Sequence, residues 1–155
     1  MHQPELLASP RAGSGHSGLT AALATCSYWE YKRPMGTAVR ITRSAPRGVA
    51  LPDPRWTDQP HWPSVRALQP GADYFRKGLT PERFRDRYLA DLEARTAMIT
   101  RDLAALAEHA EHGQLVLLCF ESVSAVTTTP WVCHRRIFAE WWQERTGEQV
   151  PELTG

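Results

Sequence analysis

The reactive chemistry open to this chain is concentrated in three cysteines, a Cys-His-Arg-Arg tetrad and one acidic residue. Cys133, His134, Arg135 and Arg136 stand together after a polar stretch, and Cys119 and Glu121 close an apolar run upstream of it. A thiol at the start of a helix meets unpaired amides and the positive end of the helix dipole. Beside two arginines it is more acidic than a free thiol. That combination suits a nucleophile, so Cys133 is the candidate catalytic thiol, with Arg135 holding negative charge next to it. The structural alternative has Cys133 packed against a sheet and both arginines solvated. Glu121, at a strand end, is a candidate acid or base; its alternative is an ion pair with a nearby arginine. His134 neighbours Cys133 in sequence, so on a helix the two side chains diverge by about 100°. It is therefore a poor base for Cys133 and is assigned to ligand contact.

A second group surrounds these. Cys26, Ser27 and Tyr28 follow the first candidate strand, and Arg40 and Arg43 end the second. With Arg135 the two arginines could hold phosphate or carboxylate, and Tyr28, Trp29 and Tyr31 could stack on a planar ligand. Taken singly, each has an ordinary reading as surface charge or packing. Three cysteines with His134 would suit zinc or iron chemically. There is no CxxC pair, however, and Cys119 inside an apolar strand reads as a small core residue. No metal and no cofactor is assigned. A disulfide between Cys119 and Cys133 is conceivable, but it depends on distances that a sequence does not hold.

The positioning elements follow from pattern. Leu115–Phe120 is a continuous apolar run, the signature of a strand covered on both faces. Leu19–Thr25 is the first candidate strand and Gly36–Thr42, alternating and β-branched, the second. Thr80-Pro81-Glu82 is a helix start, with a cap, a first-position proline and an early acid. The periodic residues after it, Phe84 to Ala110, would span about 45 Å as one helix, which predicts a break near 95–100. Thr129 as cap and Pro130 as first residue open a last helix that carries the tetrad and ends at Gly147. Val150–Leu153 adds a short edge segment. The expected fold is a single α/β domain over 18–155, Rossmann-like, with a small, mainly parallel sheet flanked by helices. Residues 1–17 are expected as a flexible tail. Residues 44–70, with half of the twelve prolines and with Trp56 and Trp62, are expected as an ordered loop over one end.

Composition limits the partners. The chain is 155 residues long, 42% hydrophobic and 23% charged, which marks a folded chain with a core of its own. Eighteen basic against seventeen acidic residues give a net charge of +1, with no bulk attraction to nucleic acid or to an anionic membrane. The odd, small number of cysteines does not fit a secreted disulfide scaffold. No run reaches transmembrane length and no apolar leader is visible. The expectation is a cytoplasmic protein.

Several of these segments together resemble the family of small bacterial and archaeal proteins grouped as domain of unknown function 488. They are Leu117-Leu118-Cys119 with Glu121, then Cys133-His134-Arg135 opening a helix. Thr25-Cys26-Ser27-Tyr28, Val39-Arg40-Ile41-Thr42-Arg43, and Phe84 with Arg87-Tyr88-Leu89 agree with them. The resemblance covers about residues 19 to 150. It departs from the family pattern between the cysteines, where SVSAVTTTPWV stands in place of a shorter acidic or proline turn. It implies an α/β fold and a site at the Cys and CHR residues, without a settled activity.

Two functional expectations result. The first is a small cytoplasmic enzyme acting on an anionic, aromatic or nucleotide-like small molecule through Cys133. The second is a non-catalytic binding module for a nucleotide or single-stranded nucleic acid, built on the aromatic and basic residues from Tyr28 to Arg43. Its near-neutral charge argues against strong, salt-sensitive affinity.

Overall fold

The structure is a computed structural model, and it describes residues 17–43, 63–74, 78–120 and 133–155. Three strands form one sheet: β1 (Ala22–Ser27), β2 (Thr37–Arg40) and β3 (Gln114–Cys119). The spatial order is β1-β3-β2, and both pairings are parallel. β3 is central because it can be: Leu115 to Cys119 are all buried, so both faces of the strand tolerate cover. Single bridges widen the sheet, with Glu152 beside Thr25 and Ser64 beside Arg40.

Strand alternation sorts the core into two sides. Leu23, Val39, Ile41, Leu115 and Leu117 share a cluster with the helices α1 (Pro81–Ala94), α2 (Thr96–Ala107) and α3 (His134–Thr146). Cys26, Ala38, Val116 and Leu118 form the other cluster with Tyr28 and Tyr31, and no residue of α1, α2 or α3 belongs to it. Among the described residues, then, this is a two-layer α/β arrangement. The reverse face is covered by the 28–36 connection between β1 and β2. Gly36 allows that connection to pass β3: its φ is 136°, and a Cβ there would collide with the Gln114 carbonyl.

The helix boundaries have local causes. Thr80 Oγ1 accepts the Arg83 amide at 3.2 Å and caps α1. The expected break falls at Arg95, whose φ and ψ of −107° and 13° separate α1 from α2. Thr96 Oγ1 donates back to the Leu92 and Glu93 carbonyls at 3.1 and 2.9 Å, a bond that bends helices. Arg95 Nη1 meanwhile reaches the carbonyls of Ala67 and Gln69, tying the break to the short turn at 66–68. Tyr88, Leu92, Ile99 and Leu103 from this pair are fully buried, each contributing about 1.5–3 kcal/mol by leaving water. Gly147 closes α3 in the left-handed region at φ 78°.

Three boundaries differ from expectation. The first strand starts at Ala22, and Cys26 and Ser27 belong to it, because parallel pairing continues to Ser27↔Cys119. α3 begins at His134 with Cys133 as its N-cap in extended conformation. The expected Thr129 cap and Pro130 start are thus displaced, and both residues lie outside the described ones. Helix also ends at Ala107, short of Ala110, where a left-handed His112 and Gly113 lead into β3. The tail to residue 16, the loop at 44–62 with Trp56 and Trp62, and Glu121 lie outside the described residues as well. No described helix is long and apolar enough to cross a membrane.

Candidate functional site

Cys119 ends β3, and Cys133 caps the helix that packs on β1 and β3. The carboxyl end of the sheet and the amino end of α3 therefore meet, as they do around ligand sites in open α/β sheets. Cys119 shares the helix-facing side with Leu115 and Leu117, so its sulfur is directed to α3. The two cysteines are joined as a disulfide, and both are buried. Cys26 sits one register step back, opposite Leu118, and so belongs to the reverse face. The parallel strands bring all three cysteines to one rim, but only two share a side. Burial, reinforced by the Glu152 carboxylate, pushes the Cys26 thiol up to about 11.

His134 is held in one state. Its Nε2 lies 2.7 Å from the Ile41 carbonyl oxygen, which can only accept, so Nε2 carries the proton and donates. Nδ1 is left with its lone pair, 3.6 Å from Cys119 Sγ. Burial lowers the imidazole pKa to about 4 against the raising effect of the Ile41 bond, so the ring is neutral at neutral pH. The Tyr88 ring meets it edge-on at 5.3 Å and fixes its plane.

Arg135 has no exposed surface. Its Nε donates to both Glu152 carboxylate oxygens at 3.0 and 3.2 Å, and Nη2 adds a bond of 2.7 Å. Nη1 points the other way and lies 3.4 Å from Cys133 Sγ. Glu152 is brought there by the C-terminal segment, which bonds β1 through Thr25 N to Pro151 O and Leu153 N to Thr25 O. Thr25 Oγ1 donates to Glu152 at 2.6 Å and accepts from Arg136 Nη1 at 2.8 Å. Arg136 also donates to the Val150 carbonyl, and burial lowers its pKa. Both arginines of the tetrad are thus ties to the chain's own C-terminal segment. Arg135 is buried and Arg136 partly so.

The remaining sequence-derived residues turn their side chains elsewhere, although Ser27 pairs with Cys119 in the sheet and the Tyr28 amide donates to the Cys119 carbonyl at 3.0 Å. Ser27 Oγ accepts the Glu30 amide. Tyr28 shares a 2.7 Å bond with Thr42 Oγ1 and packs its ring on Phe120, and burial raises its phenol to about 12. Tyr31 is buried and donates to the Gly36 carbonyl, which leaves Trp29 as the exposed ring of that loop. Arg40 Nη1 donates to the Thr42 carbonyl, while its buried Nε has no hydrogen-bond partner. Arg43 donates to the Pro70 carbonyl. The structure therefore assembles Cys119, Cys133, His134 and Arg135, and it adds Glu152, which sequence reasoning passed over in favour of Glu121. The available signal was an acid inside the predicted edge segment.

Chemically the arrangement offers two sulfurs in unlike surroundings. Cys133 sees a helix N-terminus and a guanidinium, whereas Cys119 sees a neutral imidazole lone pair. The two sulfurs and Nδ1 lie within 4.8 Å of one another, a donor set with the composition of a metal site.

Comparison with known proteins bears on this same region. The family model described as Domain of unknown function DUF488 matches residues 60–142, just over half of the chain. That stretch takes in α1, α2, β3, both disulfide cysteines and most of α3. No curated protein and no solved structure gives a match.

Proposed function

The chain belongs to the DUF488 family, and we propose that it is a small cytoplasmic enzyme working through the Cys119–Cys133 pair. Its substrate is an anionic, aromatic or nucleotide-like small molecule, and Cys133 supplies the reactive sulfur. The observation that carries this reading is the contact of Arg135 Nη1 with Cys133 Sγ at the N-cap of α3. A guanidinium and a helix dipole acting on one sulfur both favour negative charge there. Cys119, beside the neutral His134 imidazole, serves as the second sulfur, closing the disulfide with Cys133 when the site is oxidised. Two external thiols, each giving one hydrogen and leaving together as their own disulfide, return the pair to the dithiol. Anion binding at Arg40 and Arg43 remains part of this proposal, since neither guanidinium meets a carboxylate among the described contacts. The binding-module reading draws on stacking rings, and burial of Tyr28 and Tyr31 leaves it with Trp29.

The test is a timed alkylation of the reduced, folded protein with iodoacetamide, followed by peptide mass spectrometry. Cys133 is expected to be labelled ahead of both Cys119 and Cys26. A thermal-shift panel of phosphorylated and carboxylated aromatic compounds then gives a stabilising hit in wild type that Cys133→Ser loses. Labelling of Cys133 no faster than the other two, together with an empty panel, would overturn the reading.

A further inference from the structure

We propose that the dithiol form of this protein binds a thiophilic divalent cation, with zinc as the type ion. The ligands are Cys119 Sγ, Cys133 Sγ and His134 Nδ1. This goes beyond the reading above and does not require Cys133 to act as a nucleophile.

The geometry points there from several sides. The three donor atoms lie within 4.8 Å of one another, and all three residues are buried. Zinc holds thiolate sulfur at about 2.3 Å and imidazole nitrogen at about 2.0 Å in a tetrahedron. Those lengths set a sulfur-to-nitrogen edge of about 3.5 Å. The Cys119 Sγ to His134 Nδ1 separation is 3.6 Å, so that edge already exists. Two thiolates on one tetrahedral ion stand about 3.8 Å apart. With Cα atoms 7.3 Å apart, the reduced cysteines reach that spacing by small side-chain rotations.

The surroundings are those a ligand set requires. A metal-bound histidine donates its other nitrogen to a carbonyl or carboxylate, which fixes the tautomer and orients the ring. Here Nε2–H donates to the Ile41 carbonyl at 2.7 Å, and the Tyr88 ring holds the imidazole plane. Arg135 Nη1 donates to Cys133 Sγ, as such groups do to ligating thiolates.

Charge closes as well. Two thiolates and a divalent cation sum to zero around a neutral imidazole. Arg135 and Glu152 beside them form a neutral pair. Two buried thiolates without a cation would leave net negative charge in a desolvated place, which is costly. Three protein ligands leave one position of the tetrahedron open for water or a substrate atom, the pattern of a reactive zinc site.

The chemistry balances in two steps. Two external thiols reduce the Cys119–Cys133 bond, giving two protein thiols and one small disulfide. The cation then displaces both thiol protons, which leave to solvent.

The test uses the full chain, reduced, desalted without oxygen and titrated with cobalt(II). One equivalent is expected to give thiolate-to-cobalt charge-transfer bands in the near ultraviolet and visible bands of tetrahedral intensity. An equivalent of zinc should bleach them. Cys119→Ser and Cys133→Ser lose the charge-transfer bands or cut them to half, His134→Gln weakens binding, and Cys26→Ser changes nothing. Should a variant fail to fold, wild type still decides: one equivalent of zinc must protect Cys119 and Cys133 from alkylation. Folded, reduced wild type without cobalt bands and without zinc protection overturns the proposal. Slow labelling of Cys133 in metal-free protein with full cobalt bands removes the nucleophile and keeps the metal; fast labelling without bands does the reverse.

Discussion

Replacing Arg135 by methionine keeps most of the side chain's volume and removes its charge, so it isolates what the buried ion pair does. In the native structure the guanidinium has no exposed surface, and its forked bonds to Glu152 are 2.7 to 3.2 Å long. The substitution strands the carboxylate, which among the described residues keeps the Thr25 hydroxyl as a donor at 2.6 Å. Breaking one side of a buried pair costs about 3–5 kcal/mol, because the orphaned charge remains desolvated. For a chain of this length, each kcal/mol lowers Tm by about 2–4 °C, so the expected fall is about 6–20 °C. Adding Glu152→Leu should recover most of the loss, since an apolar pair of similar volume replaces buried charges at little cost. Urea unfolding followed by circular dichroism at neutral pH reads both quantities. A loss under about 1 kcal/mol at neutral pH, or no recovery in the double variant, would refute the view that this pair bears on stability.

Gly36→Ala should destabilise by about 2 kcal/mol or more, because its φ of 136° and the Gln114 carbonyl leave no room for a methyl group; a chemical melt measures this. Thr80→Ala should cost about 1 kcal/mol through loss of the cap to the Arg83 amide, read by the same melt. Cys26, buried and raised to about 11, should stay unlabelled at pH 8 while the protein is folded and react once it is unfolded in denaturant. Because the unfolded thiol ionises first, its contribution to stability is whole below pH 9 and declines between 9 and 11. Comparing melts of wild type and Cys26→Ala across that window checks it.

Much of the frame was legible residue by residue. A run such as Leu115 to Cys119 has no polar side to offer water, so it reads as the covered central strand it is. Thr80-Pro81 and Gly147 mark helix ends through backbone preferences that act within one turn. The break at Arg95 was legible as a matter of length, since one helix from Phe84 to Ala110 would be long for a domain of this size. The site was legible in its residues but not in its pairings. Arg135 was read as a clamp for an outside anion or as the partner of Glu121, and it holds Glu152. That choice is made by the C-terminal segment pairing with β1 at Thr25, a contact 127 residues apart in the chain. Likewise His134 acquires a defined tautomer from the Ile41 carbonyl, 93 residues away. Cys26 and Cys119 read alike as thiols at strand ends, yet the register Cys26↔Leu118 and Ser27↔Cys119 sends them to opposite faces. Local pattern encodes what a segment must do with its own backbone and apolar surface. Which buried charge or lone pair meets which partner is settled only when packing removes water from both at once, because only then does an unpaired group become costly.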